Sequence, residues 1–191
     1  MKRFALVTGI LALAAPLALA QASTWTGDPA HSEVDFSVKH LAISNVHGRF
    51  GKVAATLHLN ETDIAKSSVT ATIDVSTVDT GEPARDTHLK SPDFFDVEKF
   101  PTATFTSTSV VKNGSGLTVT GNLTLHGVTK EVVLEVEGPS GPVMGMDKKP
   151  HSGFTATTTI SRTAFGIGAK FPDAIVSDAI KLTIEVDVAK Q

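Results

Sequence analysis

The chain of 191 residues contains no cysteine. Disulfides, thiolate nucleophiles, iron–sulfur ligation and c-type haem attachment are therefore excluded. Also missing are a G-x-S-x-G elbow, a P-loop, a G-x-G-x-x-G turn after a strand and an H-E-x-x-H pair. His31 and Ser32 with Asp35 supply the residue types of a hydrolytic triad, but adjacent strand residues face opposite ways and cannot form one by themselves. No catalytic residue is assigned. The seven histidines (His31, His40, His47, His58, His88, His126 and His151) lack tight ligand spacing, so they read as solvated or structural and no metal site is assigned. Basic clusters are absent too, which excludes nucleic acid and gives no purchase on anionic head groups.

The one long apolar run lies at the N-terminus. Lys2 and Arg3 precede an almost wholly apolar stretch from Phe4 to Ala20, with small residues at Ala18, Ala20 and Ala22, the pattern of a cleaved secretory signal peptide over residues 1–22. Cleavage after Ala22 leaves 169 of the 191 residues, enough for one domain with a sizeable core. Loss of Lys2 and Arg3 takes the 17 basic residues to 15 against 20 acidic ones, a formal charge of −5. An exported chain without disulfides must be held by its core alone.

Nearly everything that follows alternates with period two. Val34, Phe36 and Val38 share one face; so do Val53, Ala55, Leu57 and Leu59, and then Val69, Ala71, Ile73 and Val75. Ala103 and Phe105 open a fourth strand towards Val111, and Asn113-Gly114 supplies a tight hairpin turn. Leu117, Val119, Leu123 and Leu125 form a fifth, with Gly121 among them where a bulge or a close approach would use the missing side chain. After the His126-Gly127 turn come Val132, Leu134 and Val136, then Phe154, Ala156, Thr158 and Ile160, and last Ile180 to Val188. Eight strands without intervening helices predict an all-β, up-and-down antiparallel barrel, with a two-sheet sandwich as the alternative. Residues 138–150 and 166–178 read as long rim loops.

One segment interrupts the pattern. RDTHLKSPDFFDVEKFPTATF, residues 85–105, predicts a short helix opened by Pro83 and stopped at Ser91-Pro92, with Phe94, Phe95 and Phe100 as an apolar plug beneath it. Placed at one end of the barrel, it would act as a lid. The plainer reading makes Asp86 a helix-terminus carboxylate and Arg85 a tie to the barrel.

The inward-facing set alternates bulky residues with Ala55, Ala71, Ala103, Gly121 and Ala156, which leaves room for a guest or serves the taper of a filled barrel. Strands of about ten residues, tilted by ~40°, make a barrel about 25 Å tall. Each buried methylene contributes about 0.8 kcal/mol against an association cost of about 4 to 15 kcal/mol, so the shape suits a chain of ten or more carbons. The candidate ligand-contacting residues are Phe36, Val38, Leu57, Ala71, Ile73, Phe105, Leu123, Leu134, Phe154, Ala156 and Ile160. His40 and Arg162 are candidate head-group contacts at a barrel mouth.

The ordered blocks HSEVDFSVKHL, SNVHGRF, STVDTGEPARDTHLKSPDFFDVEKFPTATFTSTSV and LTVTGNLTLHGVTKEVVLEV resemble the YceI-like family of exported, lipocalin-like polyisoprenoid-binding proteins. The resemblance covers essentially the whole mature chain, and its RD-x-HL-x-S-x-DFF and G-x-LTL-x-GVTK blocks are long and ordered. It implies an extended eight-stranded lipocalin-like barrel with a short helix capping one end. Arg85, Asp86, His88, Leu89, Phe94 and Phe95 match the family's helix and cap motif. The implied ligand is a polyisoprenoid, quinone-like or polyprenyl, or a fatty-acid-like chain, with no cofactor required. The implied setting is periplasmic, with transient membrane contact, as a monomer or homodimer. A non-enzymatic lipid carrier is the leading reading. An enzyme using His88, Asp86 and Arg85 on a hydrophobic substrate at the mouth, and a stress-related structural protein with a filled barrel, stand as alternatives.

Overall fold

The computed structural model describes residues 22–191, so the predicted signal peptide lies outside the described residues except for Ala22. Period-two alternation yields ten strand segments: β1 (Ser23–Gly27), β2 (Glu33–His40), β3 (Ser44–Phe50), β4 (Val53–Leu59), β5 (Ser68–Asp74), β6 (Thr102–Asn113), β7 (Gly116–Leu125), β8 (Val128–Met144), β9 (Pro150–Ser161) and β10 (Ala179–Lys190). Among the described residues a single α-helix, α1 (Pro83–Lys90), breaks the run.

All pairings are antiparallel, in the order β1-β4-β5-β6-β7-β8-β9-β10, and β10 closes the ring onto β1 (Trp25 opposite Lys190, Gly27 opposite Val188). Closure rules out the sandwich. β10 also pairs with β2 through Lys181–Glu185, and β3 pairs with β2 beyond the point where β4 pairs with β1. β1 with β2, and β3 with β4, are thus single staves broken once each, and ten segments make an eight-stranded barrel. The first break, at residues 28–32, is repaired by polar groups: Asp28 N donates to the Asp187 carbonyl (2.8 Å), and the buried Ser32 hydroxyl accepts from Asp187 N (3.2 Å). The second, Gly51-Lys52, is held by Thr77, whose hydroxyl accepts from Gly51 N (3.1 Å).

Sequence periodicity missed β1 and β3. In β3 the inward position between Val46 and Phe50 is Gly48, where a Cβ would meet the Phe36 ring at 2.4 Å and the Thr80 methyl at 2.7 Å. Gly121 repeats the arrangement: its missing side chain admits the Phe105 ring (2.4 Å) against the Thr106 carbonyl (2.6 Å). Opposite it, a bulge between Ser107 and Ser109 shifts the parity of β6, burying Val110 and exposing Val111. The expected loop at 138–150 is largely strand: β8 runs on to Met144 and β9 starts at Pro150, so only 145–149 form a turn. Two register shifts, between Glu137, Ser140 and Val143, absorb Pro139 and Pro142, neither of which has an N–H for the ladder. Residues 166–178 form the expected loop.

The extended hairpin is tied to the barrel by His151, whose ring nitrogens lie 2.9 Å from Asp187 and 3.1 Å from Asp147. Hydrogen bonds to Asp187, then to Asp147, hold its pKa above the usual imidazole range. A raised folded-state pKa contributes stability that is fully present below the unfolded value near 6.5 and is lost as pH rises through the folded value. His31, raised by Asp28, works in the same direction. Thermal melts from pH 6 upwards should therefore show a fall in Tm that is shallower in His151→Gln; identical slopes would remove His151 from the titration.

Candidate functional site

Inward parity from every stave creates an elongated cavity of about 270 Å³ whose exposed wall is entirely apolar. All eleven interior residues named from the sequence lie on this wall: Phe36, Val38, Leu57, Ala71, Ile73, Phe105, Leu123, Leu134, Phe154, Ala156 and Ile160. Of the small residues, Ala55, Ala71 and Ala156 line it. Ala103 packs instead into the cluster of Val53, Val75 and Phe50, and Gly121 is covered by Phe105. The cavity runs from Leu89, Phe94, Phe95, Ile167 and Val176 at the helix end to Ile64, Ser67 and Ser68 at the far end.

The helix end is a built cap. Glu82 caps α1 by accepting from Ala84 N, Pro83 opens it, and Ser91 ends it. Asp86 accepts from Thr80 N (2.9 Å) and the Thr80 hydroxyl (2.5 Å), while Arg85 donates to the Thr80 hydroxyl (2.8 Å) and carbonyl (2.9 Å). Both charges therefore tie the helix to Thr80 in the loop before it, and neither lines the cavity. His88 also stays off the wall, 3.0 Å from Asp93. Lys170 pairs with the other oxygen of Asp93 (2.6 Å), and these two partners, Lys170 first, hold the Asp93 carboxyl below its usual range. Above that carboxylate Phe94 stacks on Phe171 (5.0 Å between centroids, 13° between planes). Helix and 166–178 loop are thus closed over the barrel as one lid.

Three expectations are corrected. Arg162 does not offer itself to a head group: it is buried, and its guanidinium donates five hydrogen bonds to the carbonyls of Ile167, Gly168, Phe171, Val176 and Ser177 (2.6–3.1 Å). All five N–H groups are committed to the loop. His40 is exposed at the end of β2, bridged to Val176 through backbone, and is not on the wall. Phe100 is no plug; it fills the site of the missing Gly127 side chain and sits edge-on to His126 (4.7 Å) outside the cavity.

Sequence reasoning missed Ile64, Ile167, Phe171 and Val176. The signal for the last three was the pair Gly166 and Gly168, both with positive φ; Ile64, in the β4–β5 connection, had none. At Gly168 a Cβ would strike Phe94 at 2.8 Å, so the loop can close over Phe94 and Arg162 only without a side chain there. Among the described residues no three His, Asp or Glu side chains gather as metal ligands.

A closed antiparallel barrel, capped by a short helix and enclosing an apolar cavity, defines a protein of lipocalin-like build. The family model for the YceI-like domain matches residues 25–188, and the chain belongs to that family. A UPF0312 protein of Vibrio parahaemolyticus is 39% identical over 173 residues, covering 87% of this chain and 89% of its own. The crystal structure of Burkholderia cenocepacia BcnA superposes with a TM-score of 0.75 at 27% identity, covering 84% of this chain and 98% of that one. A polyisoprenoid binding domain from Saccharophagus degradans, implicated in plant cell wall breakdown, shares the fold (TM-score 0.63, 15% identity, 87% and 98% covered).

The Arg162 clamp makes a stability prediction. Lysine cannot reproduce five donors in a planar fork, so Arg162→Lys should lose at least about 2 kcal/mol of unfolding free energy in urea titrations. A loss below about 0.5 kcal/mol would mean the loop carbonyls find other partners.

Proposed function

We propose that the protein is a non-enzymatic carrier that holds one long apolar chain, of polyisoprenoid or similar lipid type, along the barrel axis, and that it works in the periplasm. The observation that carries this reading is the wall: a cavity running from cap to far end, lined mainly by aliphatic and aromatic side chains, can desolvate a hydrocarbon along its length. At about 0.8 kcal/mol per methylene, only a guest of roughly ten or more carbons overcomes the cost of association. The related fold described as polyisoprenoid-binding supports the class of guest. Arg85, Asp86 and His88, the residues an enzymatic alternative would use, are engaged with Thr80 and Asp93, away from the cavity. The apolar N-terminal segment with its small-x-small ending supports export.

The polar residues of the lining lie mainly at its two ends, Ser67 and Ser68 at one and Arg162 at the other, so a head group larger than a hydroxyl belongs at one end. Native mass spectrometry of protein from its natural host, with lipid extraction, should find one long-chain guest per barrel. Ala71→Trp and Ala156→Trp, which fill the lumen from opposite staves, should fold and lose that guest. Full occupancy in both folded variants would overturn an interior site at these positions.

A further inference from the structure

The turn joining β2 to β3 breaks two rules at once. Leu41 and Ala42 both have left-handed backbone (φ 51° and 57°), and Ile43 N donates back to the His40 carbonyl (3.1 Å), which makes a tight primed turn. Such turns ordinarily take Asn-Gly, because every other side chain is strained there. Here the sequence places three apolar residues in succession at an exposed tip, with Ile43 81% exposed and Leu41 44%. Strain and exposed apolar surface retained together point to use rather than to folding.

The tip is joined to the cavity. Leu41 N donates to the Ile175 carbonyl (2.9 Å), and Ile175 is itself exposed beside the turn. The next residue, Val176, bridges His40 and faces the cavity wall. Neighbouring residues of one extended loop thus present one apolar side chain to the outside and one to the lumen. Beneath the tip, on the outer faces of β2 and β10, lie the exposed Lys39 and Lys181, diagonal neighbours in the ladder because Lys181 pairs with Ser37. Neither makes an ion pair among the described residues. The loop's own acids are hydrogen-bonded to its backbone, Asp173 accepting from Asp178 N (2.6 Å) and Asp178 from Thr163 N (2.9 Å), though Asp173 stays exposed. The sequence has no basic cluster, but strand pairing sets Lys39 and Lys181 side by side, and an apolar tip above this pair matches the layering of a bilayer surface, acyl region beneath phosphate.

We propose that the Leu41–Ala42–Ile43 turn, with Ile175 beside it, docks the helix end of the barrel onto a phospholipid bilayer, so that a chain passes between bilayer and lumen past Val176. This rests on the lipid-carrier reading above. A second apolar tip, at Val143, Met144 and Met146, projects from the β8–β9 hairpin beyond Val136 and Phe154, the last cavity-lining residues of those strands on that side. It serves as the internal comparison.

Because the chain has no cysteine, single sites can be labelled cleanly. Ile43→Cys and Met146→Cys, each carrying the environment-sensitive fluorophore NBD, are titrated with vesicles of phosphatidylethanolamine and phosphatidylglycerol. Emission should rise severalfold at position 43 and stay flat at 146. A rise at 146 alone, or at neither, overturns the proposal. The double variant Leu41→Asn, Ala42→Gly supplies the relaxed turn; it should melt no lower than the parent yet partition onto vesicles about tenfold more weakly. Parental partitioning in that folded variant also overturns it. Native mass spectrometry on the same samples separates the two readings: a stoichiometric guest in protein that does not dock refutes the docking surface alone, whereas protein that docks but never holds a lipid refutes the carrier.

Discussion

Ring closure onto β10 is the constraint on which the rest depends. That strand pairs with β9 along its whole length and on its other edge with β2 and then β1. Inside and outside alternate residue by residue, so this register decides which face of the first two segments meets the lumen. A one-residue slip would turn Trp25, Val34 and Phe36, all buried, towards water. The breaks at 28–32 and 51–52 let two staves bend, and each switches which alternate residues face in, from Trp25 and Gly27 to Val34 and Phe36, and from Gly48 and Phe50 to Val53 and Ala55. The polar groups at each break, Ser32 and Thr77, replace ladder bonds that the bend removes.

The protein separates two kinds of chemistry. Polar and charged groups of the helix end are used on the protein itself: Arg162 on five carbonyls, Asp86 and Arg85 on Thr80, Asp93 on Lys170 and His88. No buried side-chain nitrogen or oxygen among the described residues lacks a hydrogen-bond partner. The lumen between its ends is left almost entirely to hydrocarbon, Thr158 excepted. A lid built with unsatisfied donors would draw water into the cavity mouth, and desolvating a guest there would then be less favourable.

The barrel and its wall were legible in the sequence because period-two alternation is a direct record of inside and outside. Phe36, Leu57, Ile73, Leu123 and Ile160 needed only counting. What was illegible came from places where backbone, not side chain, does the packing. Gly48 hides β3 because an inward glycine looks like a gap in the apolar series, yet the gap exists for Phe36. Val111 and Val110 exchange faces at a bulge that no alternation count can detect. Arg162 reads as a free cation in a sequence, since the five carbonyls that saturate it belong to a loop whose path has no periodic signature. Phe100 follows the aromatic cluster in sequence but leaves it in space, because Gly127 opens a niche on the outside.

A uniform wall has a consequence for motion. Between the Arg162 end and the Ser67–Ser68 end the lining is almost all hydrocarbon, with Thr158 the exception, so moving a hydrocarbon along the axis largely trades one dispersion contact for another. A hydrocarbon chain held there would keep one degree of freedom, sliding between the aromatic lid of Phe94 and Phe95 and the Ile64 end. Entropy retained in such sliding would favour binding, and it would leave the barrel little sensitive to the register of branches or double bonds. Discrimination among guests then falls to overall length and to whatever remains outside the tube.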